Sequence, residues 1–270
     1  MPIIAMTKEM GSLGTFIGLE VARQLGYEFV RDAIVKEAAR EYRVLEAGLV
    51  GALEERPGLL ERFGHRGRRY RAYLEAAVLD AAVRGRVLLM GRWSTLLLRG
   101  VRHAARVRVC APGEVRAQRV MKRLGIDHAD AQRRIAAYDE GVRARVRQIF
   151  DLDWTDPLLY DLVINTEAVT LESGVRQVLA LAEAPEFQPT EASRAGLWDR
   201  AVTARVRATL KANSATTHVD LDVQAADGQV RLAGVVSSDE EREASLTMAR
   251  GVPGVVGVSD EIKVFRRPIR

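Results

Sequence analysis

The chain is 270 residues long, 47% hydrophobic and 29% charged, with a formal net charge of +5. These values exclude a disordered polypeptide, and no stretch approaches the roughly eighteen uncharged apolar residues of a membrane helix. The single cysteine, Cys110, excludes an internal disulfide, and the start MPIIAMTKEMGS has no basic segment before its short apolar stretch, so the expected setting is the cytoplasm, without export.

The predicted elements begin with an apolar strand over 2–6 and a Gly-containing turn. A helix follows through Phe16, Ile17, Leu19, Val21, Ala22 and Leu25, stopped by Gly26. A second helical region is expected over 33–55, broken by Pro57-Gly58, with helix resuming over 70–84. The compact apolar run 87–90, ended by Gly91-Arg92, reads as a buried parallel strand, and 106–110 as another. Helices over 114–123 and 129–150, a strand over 160–165 (YDLVIN) and a closing helix over 171–182 complete the pattern. Strands alternating with helices predict an α/β fold with a mainly parallel sheet.

Apolar periodicity then lapses around Pro185 and Pro189, which predicts a linker over 185–196 between a domain at 1–184 and a second at 197–270. Beyond it come a helix over 198–210 and two alternating strands around the turn Ala226-Asp227-Gly228. Ser238 followed by Asp239, Glu240 and Glu241 predicts a capped helix, and a last strand is expected over 255–264. This tail is an α+β unit with a period of its own.

A strand, a Gly-rich turn and a helix make a natural anion cradle, because the turn's N–H groups and the helix dipole both favour phosphate. The turn here is Thr7-Lys8-Glu9-Met10-Gly11-Ser12-Leu13-Gly14-Thr15. Aligned on its terminal hydroxyl residue with the pattern GxxxxGK[ST], Thr15 takes the magnesium-ligand place, Gly14 that of the phosphate-binding lysine and Leu13 that of a glycine. On this pattern alone, a phosphate loop and a purely structural turn both remain open. The four histidines show no metal-ligand spacing with acids or cysteine. Arg62, Arg66, Arg68, Arg69 and Arg71 form a basic patch read as a solvated helix face. No aromatic-interleaved RNA motif or helix-turn-helix pattern accompanies it, so no nucleic-acid partner is expected.

The succession TKEMGSLGTFIGLEVARQLGYEFVRD, VLLMGRW, VRVCAPGEVRAQRVMKRLGI and DLDWTDPLLYDLVINT, spread over residues 2–182, resembles the cytidylate kinase-like family of P-loop proteins. The resemblance implies a P-loop NTPase-type parallel sheet flanked by helices, and transfer of phosphate from ATP, with Mg2+, to a nucleoside monophosphate of the CMP or dCMP kind. It implies that Gly11, Ser12, Gly14 and Thr15 hold the nucleotide, with Thr15 on the metal, and that Lys8 supplies the charge missing at Gly14. It further implies that Arg119, Arg123 and Arg143 act on the phosphates from a helical lid. Asp32, Arg92, Asp139 and Arg145 would serve the acceptor and the lid. Two positions depart from the family's pattern: the order Arg31-Asp32 is reversed, and Leu13 brings a branched side chain to the loop. These departures keep a second reading open, a nucleotide-binding sensor that has lost catalysis.

Residues 199–265, through GQVRLAGVVSSDEEREASLTMA and VPGVVGVSDEIKV, resemble a BON domain. The resemblance implies a binding module that regulates or targets the first domain through protein, lipid or small-ligand contacts. Its acidic and basic residues nearly balance, so attraction to anionic lipid is not expected.

Overall fold

The computed structural model describes residues 1–31, 33–54 and 65–265, leaving aside the side chains of 51–54, 65, 66 and 92. Asp32, Arg62, the Pro57-Gly58 break and the side chains of Arg66 and Arg92 therefore lie outside the described residues.

In chain order the elements are β1 (Ile3–Lys8), α1 (Gly14–Leu25), β2 (Glu28–Val30), α2 (Ala33–Glu41), α3 (Glu46–Glu54), α4 (His65–Arg84), β3 (Val87–Met90), α5 (Arg92–Leu97), β4 (Ala104–Cys110), α6 (Gly113–Leu124), α7 (His128–Phe150), β5 (Leu162–Asn165), α8 (Leu171–Glu183), α9 (Glu191–Ala212), β6 (Asp222–Ala226), β7 (Gln229–Val236), α10 (Asp239–Arg250) and β8 (Gly257–Val264). They fall into two compact units. The first takes in Met1–Ala33, Leu53–Gly58 and Arg84–Thr190; the second takes in Ile34–Ala52, Leu59–Val83 and Glu191–Arg270.

In the first unit five parallel strands lie in the order β2-β3-β1-β4-β5. The α/β class and the parallel sheet flanked by helices are thus present. Central β1 is buried along nearly its whole length, as a strand covered on both faces must be. Ile4, Met6, Leu88, Met90, Val107, Val109 and Ile164 pack with Ile17 and Val21 of α1 and Val175 and Val178 of α8. Gly26 ends α1 in the left-handed region (φ 63), and its N–H closes the last turn on Arg23. The alternate face carries Arg108, whose guanidinium lies 5.0 Å from the Trp154 ring. Trp154 in turn packs with Leu96 of α5 and with Val142 and Val146 of α7. Because β1 lies between β3 and β4, the chain turns away from it in both directions, and the loop after β1 opens at this switch point.

In the second unit α9 and α10 cover the sheet β6-β7-β8, with Val206, Leu210, Val230, Leu232, Leu246 and Ile262 in its core. Asp227 and Gly228 both have positive φ (50° and 76°), the geometry of the tight hairpin turn that Asp-Gly favours. The inserted helices belong here too. Tyr42 stacks on Tyr73 at 4.3 Å, the Tyr73 hydroxyl donates to the Lys211 carbonyl (3.1 Å), and Arg205 Nε donates to Asp80 (2.7 Å). Burial pushes the Tyr73 hydroxyl up to about 12.

Several boundaries differ from the sequence reading. The helical region expected over 33–55 is two helices, because Arg43 adopts φ 51 and the Val44 N–H reaches back to the Ala39 carbonyl (3.0 Å), a helix stop built without glycine. Helix α4 begins at His65 rather than at 70, and the strand expected from 160 begins at Leu162. Short β2 and α5 had no periodic signal of their own. Residues 191–196, expected as linker, form the start of α9; that turn is almost wholly exposed and so carries no apolar stripe to announce it.

The α10 start is a reciprocal cap. Ser238 Oγ accepts from the Glu241 N–H (3.2 Å), while the Glu241 carboxylate accepts from the Ser237 N–H (2.7 Å) and meets His218 Nε2 at 2.9 Å. His218 first, then the Ser237 N–H, holds the Glu241 carboxyl below its usual range. A carboxyl with a depressed folded-state pKa stabilises fully above its ordinary value, and that contribution is lost as pH falls through the folded value. Thermal melts between pH 7 and pH 3 are therefore expected to show a shallower acid-side loss in Glu241→Gln than in the parent. At neutral pH the variant keeps an acceptor for the Ser237 N–H and should lack only the charge at the helix N-terminus, about 0.3–1 kcal/mol. Equal acid-side slopes would show that Glu241 contributes no such pH dependence.

Candidate functional site

The loop after β1 is shaped by its own hydrogen bonds. The Glu9 N–H continues the ladder to Val109 (3.0 Å), and the Glu9 carbonyl accepts both the N–H (3.2 Å) and the hydroxyl (2.9 Å) of Ser12. Gly11 (φ 82) and Leu13 (φ 63) then take left-handed conformations, turning the chain into α1. Leu13 stands at the N-cap and gives α1 no side-chain cap. The N–H groups of Gly11, Leu13, Gly14 and Thr15 find no protein acceptor among the described residues. Such unsatisfied amides at a helix start, with the dipole's positive end behind them, suit phosphate oxygens. The residues present thus fit a nucleoside triphosphate.

Gly14 explains the missing lysine. A Cβ built on it would lie 2.7 Å from Lys8 Cβ and 3.1 Å from Val109 Cβ. The stem of Lys8 occupies the room that a side chain at position 14 would need. The Lys8 ammonium lies 6.0 Å from the centroid of the Tyr138 ring on α7. Thr15 sits half-buried in the first turn of α1, next to the open amides. The neighbouring Thr7 hydroxyl is buried with no hydrogen-bond partner among the described residues.

The expected arginines divide. Arg119 is brought to the loop, donating to the Gly11 carbonyl (3.3 Å) and to Thr166 Oγ1 (2.9 Å) and carbonyl (2.7 Å), while the Thr166 hydroxyl donates to the Ser12 carbonyl (3.0 Å). Arg123 is exposed further along α6. Arg143 is exposed on α7 and paired with Glu140 at 3.0 Å. Neither contacts the loop among the described residues. Arg145 is buried on α7. Asp139 is engaged by Arg116 through both oxygens (3.1 and 2.8 Å).

Three residues of this cluster went unnoticed in the sequence: Glu9, Arg108 and Arg116. The Glu9 carboxylate accepts from Arg108 Nη2 (2.6 Å) and the Ala111 N–H (3.2 Å), with Arg116 Nε at 3.5 Å. Arg108 and Arg116 are only 7% and 8% exposed, so these are buried ion pairs rather than surface ones. Burial works against the Arg116 charge, but Asp139 and Glu9 outweigh it and raise its pKa. One signal was legible: an acid inside an anion-binding turn is anomalous unless cations neutralise it. Cys110, nearby, is pushed up chiefly by burial, in keeping with an inert thiol.

Known proteins converge on the same region. The profile of the Cytidylate kinase-like family matches residues 3–168, and that of the BON domain matches 199–265. A cytidylate kinase of Methanopyrus kandleri is 39% identical over 95 residues, 32% of this chain and 49% of that protein, so the match spans about half the relative's length. A cytidylate kinase of Pyrobaculum aerophilum is 27% identical over 177 residues, 65% of this chain and 90% of that one. Among solved structures, an uncharacterized protein from Eubacterium ventriosum superposes with a TM-score of 0.54 at 15% identity, covering 68% of this chain and 99% of its own, a likeness of fold. With the family profile covering more than half of its length, the chain belongs to the cytidylate kinase-like family and carries a BON domain behind it.

Proposed function

We propose that the chain transfers the terminal phosphoryl group of ATP to a nucleoside monophosphate of the CMP or dCMP kind. The observation that carries this reading is the set of open N–H groups of Gly11, Leu13, Gly14 and Thr15 beside the Lys8 stem that fills the Gly14 gap. Phosphoryl transfer asks little covalent chemistry of a protein; it needs donors and cations fixed around the transferring oxygens. Gly11, Gly14 and Thr15 would bind the nucleotide phosphates through their open amides, and Ser12 would hold the turn for them, its N–H and hydroxyl both given to the Glu9 carbonyl. Lys8 would place its charge on the phosphates. Arg119 would hold the loop against the Thr166 turn and lend its charge, while Arg123 and Arg143 would act only after α6 and α7 move. Asp32, Arg92 and Arg145 would serve the acceptor, and Asp139 would orient arginine.

Magnesium, when bound with ATP, neutralises charge on the phosphate oxygens. Thr15 would hold it. Among the described residues no group of three or more His, Cys, Asp or Glu side chains could hold a metal alone, which suits an ion held largely by nucleotide oxygens. The BON domain would regulate or target this activity. No helix among the described residues is long and apolar enough to cross a membrane, and the proposed place of work is the cytoplasm.

A nucleotide sensor without turnover is the second reading, favoured by the left-handed Leu13 side chain at the loop. ADP formation from Mg-ATP across CMP, dCMP, UMP, AMP and GMP decides between them. Acceptor-dependent ADP establishes the kinase and names its substrate. ATP binding with no turnover on any acceptor moves the function to sensing.

A further inference from the structure

Glu9 stands in the loop next to Lys8, where a carboxylate would repel nucleotide phosphates unless it were neutralised. Every polar group it owns is fixed. Its N–H is held by β4, its carbonyl closes the turn on Ser12, and its carboxylate is shared among Arg108, the Ala111 N–H and Arg116. Arg116 passes the link on to Asp139 of α7 through both terminal nitrogens. The backbone of α6 also presses on the loop, since a Cβ on Gly11 would lie 2.8 Å from the Arg116 carbonyl oxygen. Two carboxylates and two guanidiniums therefore form a charge-balanced, largely buried chain from the loop to α6 and α7, the two helices that bear the candidate lid arginines.

We propose that Glu9 and Arg116 are positioning residues that couple the phosphate loop, with Lys8 and its open amides, to the posture of α6 and α7. The inference rests on the phosphoryl-transfer reading for its kinetic consequence, though not for the coupling itself. A lid that closed over phosphates would draw on Asp139 and Arg116, and Glu9 would carry that displacement to the residue beside Lys8. A clamp that served stability alone would need no carboxylate at this place; an apolar contact of similar volume holds as well or better.

The test uses the full chain and the variants Asp139→Asn, Glu9→Gln and their combination. Amide hydrogen exchange at the hydrogen-bonded N–H groups of the loop and its helix start, Glu9, Ser12, Phe16 and Ile17, is expected to speed up about tenfold in each single variant, although Asp139 lies outside the loop. With the acceptor identified by the turnover panel, kcat is expected to fall about 10²-fold while the KM for Mg-ATP changes less than about threefold. The double variant should be no worse than Glu9→Gln alone, because both changes cut one chain. Asp139→Glu, which keeps the charge, should recover part of the rate. Unchanged loop exchange in Asp139→Asn, or fully additive effects in the double variant, overturns the proposal. Where the parent shows no turnover, it is the kinase reading that fails, and the exchange measurement still decides the coupling. If Glu9→Gln does not fold, Asp139→Asn, changed at the half-exposed end of the chain, carries the test.

Discussion

Lys8→Ala is expected to lower kcat for phosphoryl transfer by about 10²–10³-fold while Mg-ATP affinity changes by less than about threefold. The reason is the exchange of places between Lys8 and Gly14. In the GxxxxGK[ST] pattern the cation rises from the start of the helix. Here it rises from the last residue of β1, and its Cβ would stand 2.7 Å from any Cβ on Gly14. The loop amides still bind the phosphates in the variant; what is lost is charge on oxygens that become more negative as transfer proceeds. A swap makes the argument sharper. Gly14→Lys alone is expected to be inactive, since the two stems collide. Gly14→Lys added to Lys8→Gly, which removes the colliding Cβ, is expected to regain roughly tenfold in kcat over Lys8→Gly alone, part of what one phosphate contact contributes. Steady-state kinetics with the preferred acceptor and an equilibrium ATP titration provide both numbers. A Lys8→Ala enzyme within threefold of the parent would remove Lys8 from the mechanism.

Gly11→Ala carries the largest expected cost in stability, roughly 2–4 kcal/mol, from left-handed strain and a main-chain collision together. At φ 82 an alanine is strained, and its Cβ would meet the Arg116 carbonyl oxygen at 2.8 Å, an atom of helix backbone that cannot swing aside. For a unit of this size that corresponds to a fall in Tm of roughly 5–12 °C. Gly113→Ala is the matched control: a Cβ there meets nothing within 4 Å, and alanine suits the first turn of α6. Differential scanning calorimetry of both variants tests the contrast. An unaltered Tm in Gly11→Ala would mean that α6 is free to retreat from the loop.

The sequence made the central strands, the closing helix and the hairpin-and-cap pattern of the tail legible, because each is written in local periodicity or turn chemistry. It was silent where the determining partner is remote. Glu9 meets Arg108 across 99 positions, and no spacing rule connects them. Arg119, Arg123 and Arg143 look alike on a helical wheel, yet only Arg119 faces the loop, since what decides is which turn of α6 reaches the Thr166 segment. Arg43 shows the same limit for local structure: a helix stop made by a non-glycine residue has no signature. Helices α2 to α4 were read with the strands on either side of them. Most of their residues fall in the second unit, where the Tyr73 hydroxyl reaches Lys211 and Asp80 pairs with Arg205, because amphipathicity says that a face is buried but not against what.

That second unit is discontinuous along the chain, and synthesis order gives the discontinuity a cost. Its inserted helices emerge from the ribosome before residues 84–190 and well before α9 to α10. At about 5–20 residues per second, Tyr73 and Asp80 wait on the order of ten seconds for Lys211 and Arg205, their partners on α9. During that interval the inserted helices stand without their α9 partners, while the strands of the first unit emerge one after another up to β5. Holding chaperones should therefore engage this protein through its middle rather than its start, and a nascent chain stalled before Glu191 should be far more prone to aggregation than the finished one.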